Sequence, residues 1–292
     1  MSIVKTSDDI KKYISVDASF DYNSVLPYIE LAEDEVKRVL GDQFKELDDY
    51  FNAANSGLPE LDALLPYAQR PVVYFAVLKG LDKLNVSIGN NGIGIISNAN
   101  LAPASKDRVE NLRKSITDTA WDSLEYLLQY LEENEDLYPE WENSDAYAYQ
   151  YQYLISTARK FDELYKINRS RLTFLEWRPT MADVEKLQIE PKVSKEMMDE
   201  LKSQIKTNSV TTANAKILPF LQKALAYLTA AIKRDPKMQQ PGEKYLMMAK
   251  ATMDADPDSY PTYTASDIYD STITGYQTYE NDASLKLSVF GG

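Results

Sequence analysis

Any chemistry in this chain must run on carboxylates, lysine, tyrosine or hydroxyls, because its 292 residues include no His and no Cys. That absence excludes a Ser–His–Asp triad, an imidazole metal ligand, a thiol nucleophile, a zinc ribbon and a disulfide framework. The acids fall in three clusters: Glu33-Asp34-Glu35, Asp48-Asp49 and Glu132-Glu133-Asn134-Glu135-Asp136. Two-carboxylate hydrolysis or divalent-cation binding needs only Asp and Glu. These clusters, however, read as polar helix faces or helix ends, where solvated charge is the ordinary arrangement. The stretch Asn90-Asn91-Gly92-Ile93-Gly94 has no strand–loop–helix context and no Walker lysine, so it is not a phosphate loop. Asp254, Asp256 and Asp258 alternate as in a calcium loop, but the sixth-position Gly and the closing Glu are missing, and a helix exit is the better reading. Arg169, Arg171 and Arg178 flank Phe174 and Trp177, which suits an interface anchor or Arg packed on Trp. The expectation is a protein with no catalytic residue, no metal and no cofactor.

The elements that would position such residues are mainly helical. Thr6 with Asp9 three positions on has capping-box spacing and predicts a short helix. Val25, Ile29, Ala32, Val36 and Leu40 recur on one helical face, which ends at Gly41 where a C′ residue belongs. A third helix is expected to start at Pro66, with Pro71 kinking or splitting it. Residues 85–100 break the pattern. Val86, Ile88, Ile93, Ile95 and Ile96 flank Gly89-Asn90-Asn91-Gly92, which predicts a projecting hairpin with an Asn91-Gly92 turn. Val109, Leu112, Ile116, Ala120, Leu124, Leu127 and Leu131 then form one stripe over about seven turns. Tyr147, Tyr149, Tyr151 and Tyr153 alternate, as in a strand or an extended linker.

The second half repeats the first. Leu65, Pro66, Gln69 and Tyr74 are matched, at one constant spacing, by Leu218, Pro219, Gln222 and Tyr227. Upstream, Thr6, Pro27 and Glu33 correspond to Thr157, Pro179 and Glu185. The implied organisation is a mainly α helical bundle built from two duplicated helical units, with a small β-hairpin insertion and an extended C-terminal arm. Residues 1–84 form the first unit, 85–134 the inserted hairpin and long helix, and 135–154 a Tyr-rich linker. Residues 155–255 form the second unit and 256–292 the arm. The arm is rich in Tyr, Ser and Thr and ends on alternating Leu285, Leu287 and Val289, a pattern suited to adding a strand to a partner.

The chain has 32 Lys and Arg against 45 Asp and Glu, a formal charge of −13, so its surface should not adhere to nucleic acid or to anionic lipid. With 44% hydrophobic residues and 21 Tyr it can bury real cores. No run of 18 apolar residues exists to span a bilayer, and the opening MSIVKTSDDIKKYI lacks a signal-peptide core; an intracellular protein is expected.

The opening helix with Thr6 and Asp9, the next helix with Ala32-Glu33 ending at Gly41, and the helix reading LLPYAQRPVVYFAVLKGL resemble the head–tail connector, or adaptor, family of tailed bacteriophages. The stretch STARKFDELYKINRSRLTFLEWRPTMADVE resembles an uncharacterised family of Bacteroidetes phages and prophages that looks like an elaborated relative of the connectors. The two resemblances together span most of residues 3–235. They imply a homo-oligomeric ring, typically a dodecamer, seated under the portal protein in the virion neck. Such a ring would meet downstream tail or neck proteins and let genomic DNA pass without specific binding, with no membrane involved. The residues expected to make contacts are Asn90, Asn91, Gly92 and Ile93 in the hairpin, and Tyr276, Tyr279, Leu285, Leu287, Val289 and Phe290 in the arm. Two other classes stay open. A helical substrate-capture or interaction protein of Bacteroidetes would carry a lipobox Cys, and a carboxylate-only enzyme would bring several acids into one pocket.

Overall fold

The computed structural model describes residues 2–17, 20–53, 57–84, 86–89, 92–95 and 105–269, and these are mainly helical. Helix α1 (Ser7–Lys11) starts as its capping box dictates: Thr6 Oγ1 accepts the Asp9 N–H while the Asp9 carboxylate accepts the Thr6 N–H. Such a cap contributes about 1 kcal/mol. Helix α2 (Leu26–Leu40) buries Ile29, Ala32, Val36 and Leu40 along one stripe. It stops at Gly41, where φ is 55° and an added Cβ would stand 2.6 Å from the Ser144 Cβ. Only glycine meets both conditions. Helix α3 (Gln43–Asn52) follows.

Helix α4 (Pro59–Leu84) runs through Pro66 and Pro71 as one element. It therefore neither starts at the first proline nor splits at the second. Each interior proline removes a backbone donor and costs about 3 kcal/mol. The helix persists because Leu64, Ala68, Val72, Val73 and Ala76 are buried along it, and that burial outweighs the penalty. Beyond it, β1 (Val86–Gly89) and β2 (Gly92–Ile95) pair antiparallel with Gly89 opposite Gly92. This register leaves Asn90-Asn91 rather than Asn91-Gly92 between the strands, and those two asparagines lie outside the described residues.

Helix α5 (Lys106–Glu133) lies along α4 and buries Ile116, Ala120, Leu124, Leu127 and Leu131. It completes the first core, so it is no insertion between two finished units. The expected Tyr-rich linker is also part of that core. Helix α6 (Pro139–Glu142) and helix α7 (Asp145–Gln150) bury Tyr138, Trp141 and Tyr147. Alternating tyrosines misled because a period of two fits a strand as well as it fits chance on a helix. Ser144 caps α7 through the Tyr147 N–H, and the pair that packs is Tyr147 with Tyr151, four residues apart, their rings 4.6 Å apart.

The second core begins at Leu154. Helix α8 (Ala158–Leu164) precedes α9 (Arg171–Val184), which continues through a π turn, Glu185–Ile189, into α10 (Glu190–Val193). Helices α11 (Lys195–Lys206), α12 (Asn214–Lys233) and α13 (Gln239–Ala255) complete the bundle. The chain does not leave as an arm at residue 256. Helix α14 (Pro261–Thr264) folds back, and Tyr260 and Tyr263 are buried in the second core. Residues 270–292 lie outside the described residues.

The two cores are closed by like contacts. Ala120, Leu124, Leu127 and Leu131 face α4, and Gly242, Leu246, Ala249 and Met253 face α12 at the same intervals. After α5 the chain reads Tyr138-Pro139, and after α13 it reads Tyr260-Pro261. Tyr138 has φ −127° and ψ 65°, and Tyr260 has φ −127° and ψ 62°. Each tyrosine hydroxyl donates over 2.9 Å to a backbone carbonyl, of Glu60 and of Ala213 respectively. Ser144 Oγ donates to the Trp141 carbonyl at 2.7 Å, and Ser266 Oγ to that of Tyr263 at 2.6 Å. Trp141→Ala is expected to lower unfolding free energy by about 3–5 kcal/mol in urea titration. Leu187→Ala, at a side chain 71% exposed, should stay within about 0.5 kcal/mol of the parent. Equal losses would mean that Trp141 does not key the first core.

Candidate functional site

Of the residues expected to make contacts, Asn90, Asn91, Tyr276, Tyr279, Leu285, Leu287, Val289 and Phe290 lie outside the described residues. Gly92 and Ile93 lie in β2, opposite Gly89 and Ile88. The acid clusters resolve into separate roles. Asp34 pairs with Lys37, Glu35 with Arg38 and Lys79, and Asp49 with Lys45, all as surface pairs. Among the described residues no three acids are grouped to hold a metal ion. Asp254 accepts from Lys250 and from the Tyr263 hydroxyl, so the run expected to be a solvated exit is tied into the second core.

Glu33 departs most from the solvated reading. It is 1% exposed, and its Oε1 accepts the Ile3 N–H at 3.0 Å and the Ser2 hydroxyl at 2.6 Å. From the other side, Gln69 on α4 donates to the Ile3 carbonyl at 2.6 Å. Both polar groups of one buried peptide segment are thus held by side chains from two helices. The same clamp recurs at Leu154. Its N–H donates to Glu185 at 2.9 Å, and Gln222 on α12 donates to its carbonyl at 2.8 Å. Each clamped residue is followed three positions later by the threonine that caps the first short helix, Thr6 or Thr157, with φ −136° and −134°.

Burial pushes the Glu33 and Glu185 carboxyls above the usual glutamate range, against the hydrogen bonds and lysines that favour their charged forms. Glu185 is relieved in part by Lys202 at 2.6 Å. Asp9 is also resisted by burial, but the backbone N–H of Lys5, the Lys12 ammonium and the Thr6 hydroxyl outweigh it and hold its carboxyl below the usual range.

A second polar cluster joins the two cores. Glu125 on α5 accepts the Arg159 N–H at 3.0 Å through one oxygen and pairs with Arg171 at 3.1 Å through the other. Glu132, about two turns further along, faces Arg159 and Lys160 at 3.6 and 3.7 Å. Arg178 donates to the Tyr149 carbonyl at 2.7 Å, with its guanidinium 3.9 Å from the Tyr149 ring centre and 4.9 Å from that of Tyr153. Trp177 instead carries Arg234 on its face. Beside this seam lies a cleft of about 590 Å³, walled by Val39, Gly41, Trp121, Ala146, Arg171 and Leu175 among others. Of its charged lining, Arg171 is paired across the seam with Glu125, while Glu35, Lys37 and Arg38 pair within the first unit. Sequence reasoning missed Glu125 and the tying role of Glu132. The available signal was the basic Arg159-Lys160 pair in the first turn of α8, where an acid is the usual residue.

Residues 31–151 match a family of unknown function (DUF6712), less than half of the chain. The match ends at Tyr151, the last residue of the first core. No curated protein and no solved structure matches the chain.

The clamp glutamates set a pH dependence. A carboxyl whose folded pKa is raised contributes stability that is complete below its unfolded pKa and is lost as pH rises through the folded one. Glu185→Gln keeps an acceptor for the Leu154 N–H and has no charge to desolvate. Between about pH 4 and pH 8 the urea midpoint of the parent should therefore fall more than that of the variant. A parent slope equal to or smaller than the variant's would show that pairing with Lys202 outweighs burial.

Proposed function

We propose that the chain is a structural head–tail connector of a tailed phage, one helical unit duplicated, which forms a ring between portal and tail and extends the DNA channel. One observation carries the reading. Thr6, Asp9, Ala32, Glu33 and Gly41, the residues on which the connector resemblance rests, converge to build the start of the first unit. Thr6 and Asp9 cap α1, Glu33 clamps Ile3, Ala32 is fully buried and Gly41 allows Ser144 to close on α2. These are scaffold roles, as a structural protein requires.

The duplication is supported by the paired clamps, the paired caps and the paired Tyr-Pro closures. The charge of −13 suits a channel past which a polyanion must slide without adhering. No described helix is long and apolar enough to cross a membrane, which agrees with a place in the virion neck. Mass photometry and negative-stain imaging of the purified chain, alone and mixed with the portal of the same phage, test this. Ring particles that bind the portal are expected. A particle of one chain's mass under both conditions would overturn the proposal.

A further inference from the structure

We propose that copies of this chain join head to tail, by repeating between molecules the contact that its own two units make within one. This rests on the duplication and ring reading above and names the surfaces that the ring would use.

The contact inside the chain has defined sides. The first unit offers α5, through Glu125, and the groove between the α2 end and Ser144-Asp145-Ala146. The second unit offers the start of α8 and α9, through Arg159, Arg171 and Leu175. The second unit has the first of these surfaces in its own version, and no described residue covers it. Aligning the buried stripes of α5 and α13 puts Met247 at the place of Glu125. Met247 is 55% exposed. The groove recurs as an open hollow of about 480 Å³ between α10, the start of α11 and Ser266-Asp267-Ile268. The Ser-Asp pair that walls both grooves, 144–145 and 266–267, is the same pair in the sequence.

The first unit, conversely, has its own version of the second surface, which no described residue covers. The capping threonines put Asp8 at the place of Arg159, and the clamp glutamates put Leu26 at the place of Arg178. Asp8 is exposed, and Leu26 is 45% exposed at the start of α2. Both open ends thus carry an apolar side chain where the seam inside the chain carries an ion. The partner that fits is a second copy, because only it supplies the complementary end. The contact joins two different surfaces and so propagates in one direction, closing into a ring where the rotation permits.

The absence of cysteine makes a direct test available. Asp8→Cys and Met247→Cys are prepared as separate chains, both at exposed positions, and treated with a short bis-maleimide reagent. Mixed chains should give a covalent dimer, and either chain alone should give none. A Met247→Cys dimer formed alone means back-to-back pairing and overturns the proposal. Assembly of the parent chain with no cross-link in the mixture overturns these surfaces and leaves the ring reading intact. A parent chain that is monomeric at every concentration overturns both. As a second measurement, Leu26→Glu with Met247→Glu should abolish assembly and leave the melting transition unchanged; unimpaired assembly counts against the surfaces.

Discussion

The structure depends on how one extended segment is buried at the start of each unit. Ile3 and Leu154 are fully or almost fully buried, yet neither belongs to a helix or sheet that would pair its peptide groups. A buried N–H or C=O without a partner costs about 1–3 kcal/mol, so each must be met by a side chain. The N–H needs an acceptor and the C=O a donor. A glutamate from one helix and a glutamine from another supply them. Fixing these two bonds sets where the second helix of the unit lies relative to the Pro-containing helix. Everything packed on that pair then follows, including α5 and α13. The clamp also explains how a carboxyl is tolerated at 1–2% exposure: the bonds it accepts offset part of its desolvation, so a matching ion is not the sole compensation.

How much of this was legible in the sequence follows from range. The Thr6 cap, the α2 stripe ending at Gly41 and the α5 stripe from Ile116 to Leu131 are local patterns, and the structure contains them where the pattern put them, although Leu112, expected on the α5 stripe, is 50% exposed. The glutamate and glutamine matches were visible as recurring polar residues within apolar stripes, but their task was not, because the residue each one serves lies 30 to 68 positions away. Pro71 was misjudged for the same reason. A proline penalty is local, whereas the burial of Val72 and Val73 that overrides it depends on two other helices. The boundary of the cores was misplaced because the tyrosine run looked like a linker by composition. Tyr138, Trp141 and Tyr147 are among the larger buried side chains of the first core. The repeated Tyr-Pro at 138–139 and 260–261 was the overlooked sign that the chain closes each core in the same way before moving on.

The seam between the two cores shows how the start of the second differs from the start of the first. In the first unit the acid at the third position of α1, Asp9, completes the cap within its own helix and is paired locally by Lys12 at 3.0 Å. At the corresponding place the second unit carries Lys160, so α8 cannot complete its cap with an acid of its own. Glu132 on α5 approaches Lys160 from the first unit, and Glu125 meets the neighbouring Arg159 N–H. One of the free amide donors at the start of α8 is thus satisfied by a side chain from another unit.

That exchange makes the two units unequal. The start of the first unit is closed by Thr6, Asp9, Glu33 and Gln69, all its own residues. The start of the second uses two carboxylates of α5, Glu125 and Glu132. Acids buried at that seam without Arg159, Lys160 and Arg171 would carry uncompensated charge, and burial already pushes the Glu132 carboxyl above the usual range. The pairing therefore selects one order of units: acidic α5 against basic α8 and α9. The reversed order would set Met247 of α13 against Asp8 of α1, a contact without that ion pair. Within the chain the seam is thus specified by charge, while Met247 and Leu26 leave apolar side chains exposed at the two outer ends.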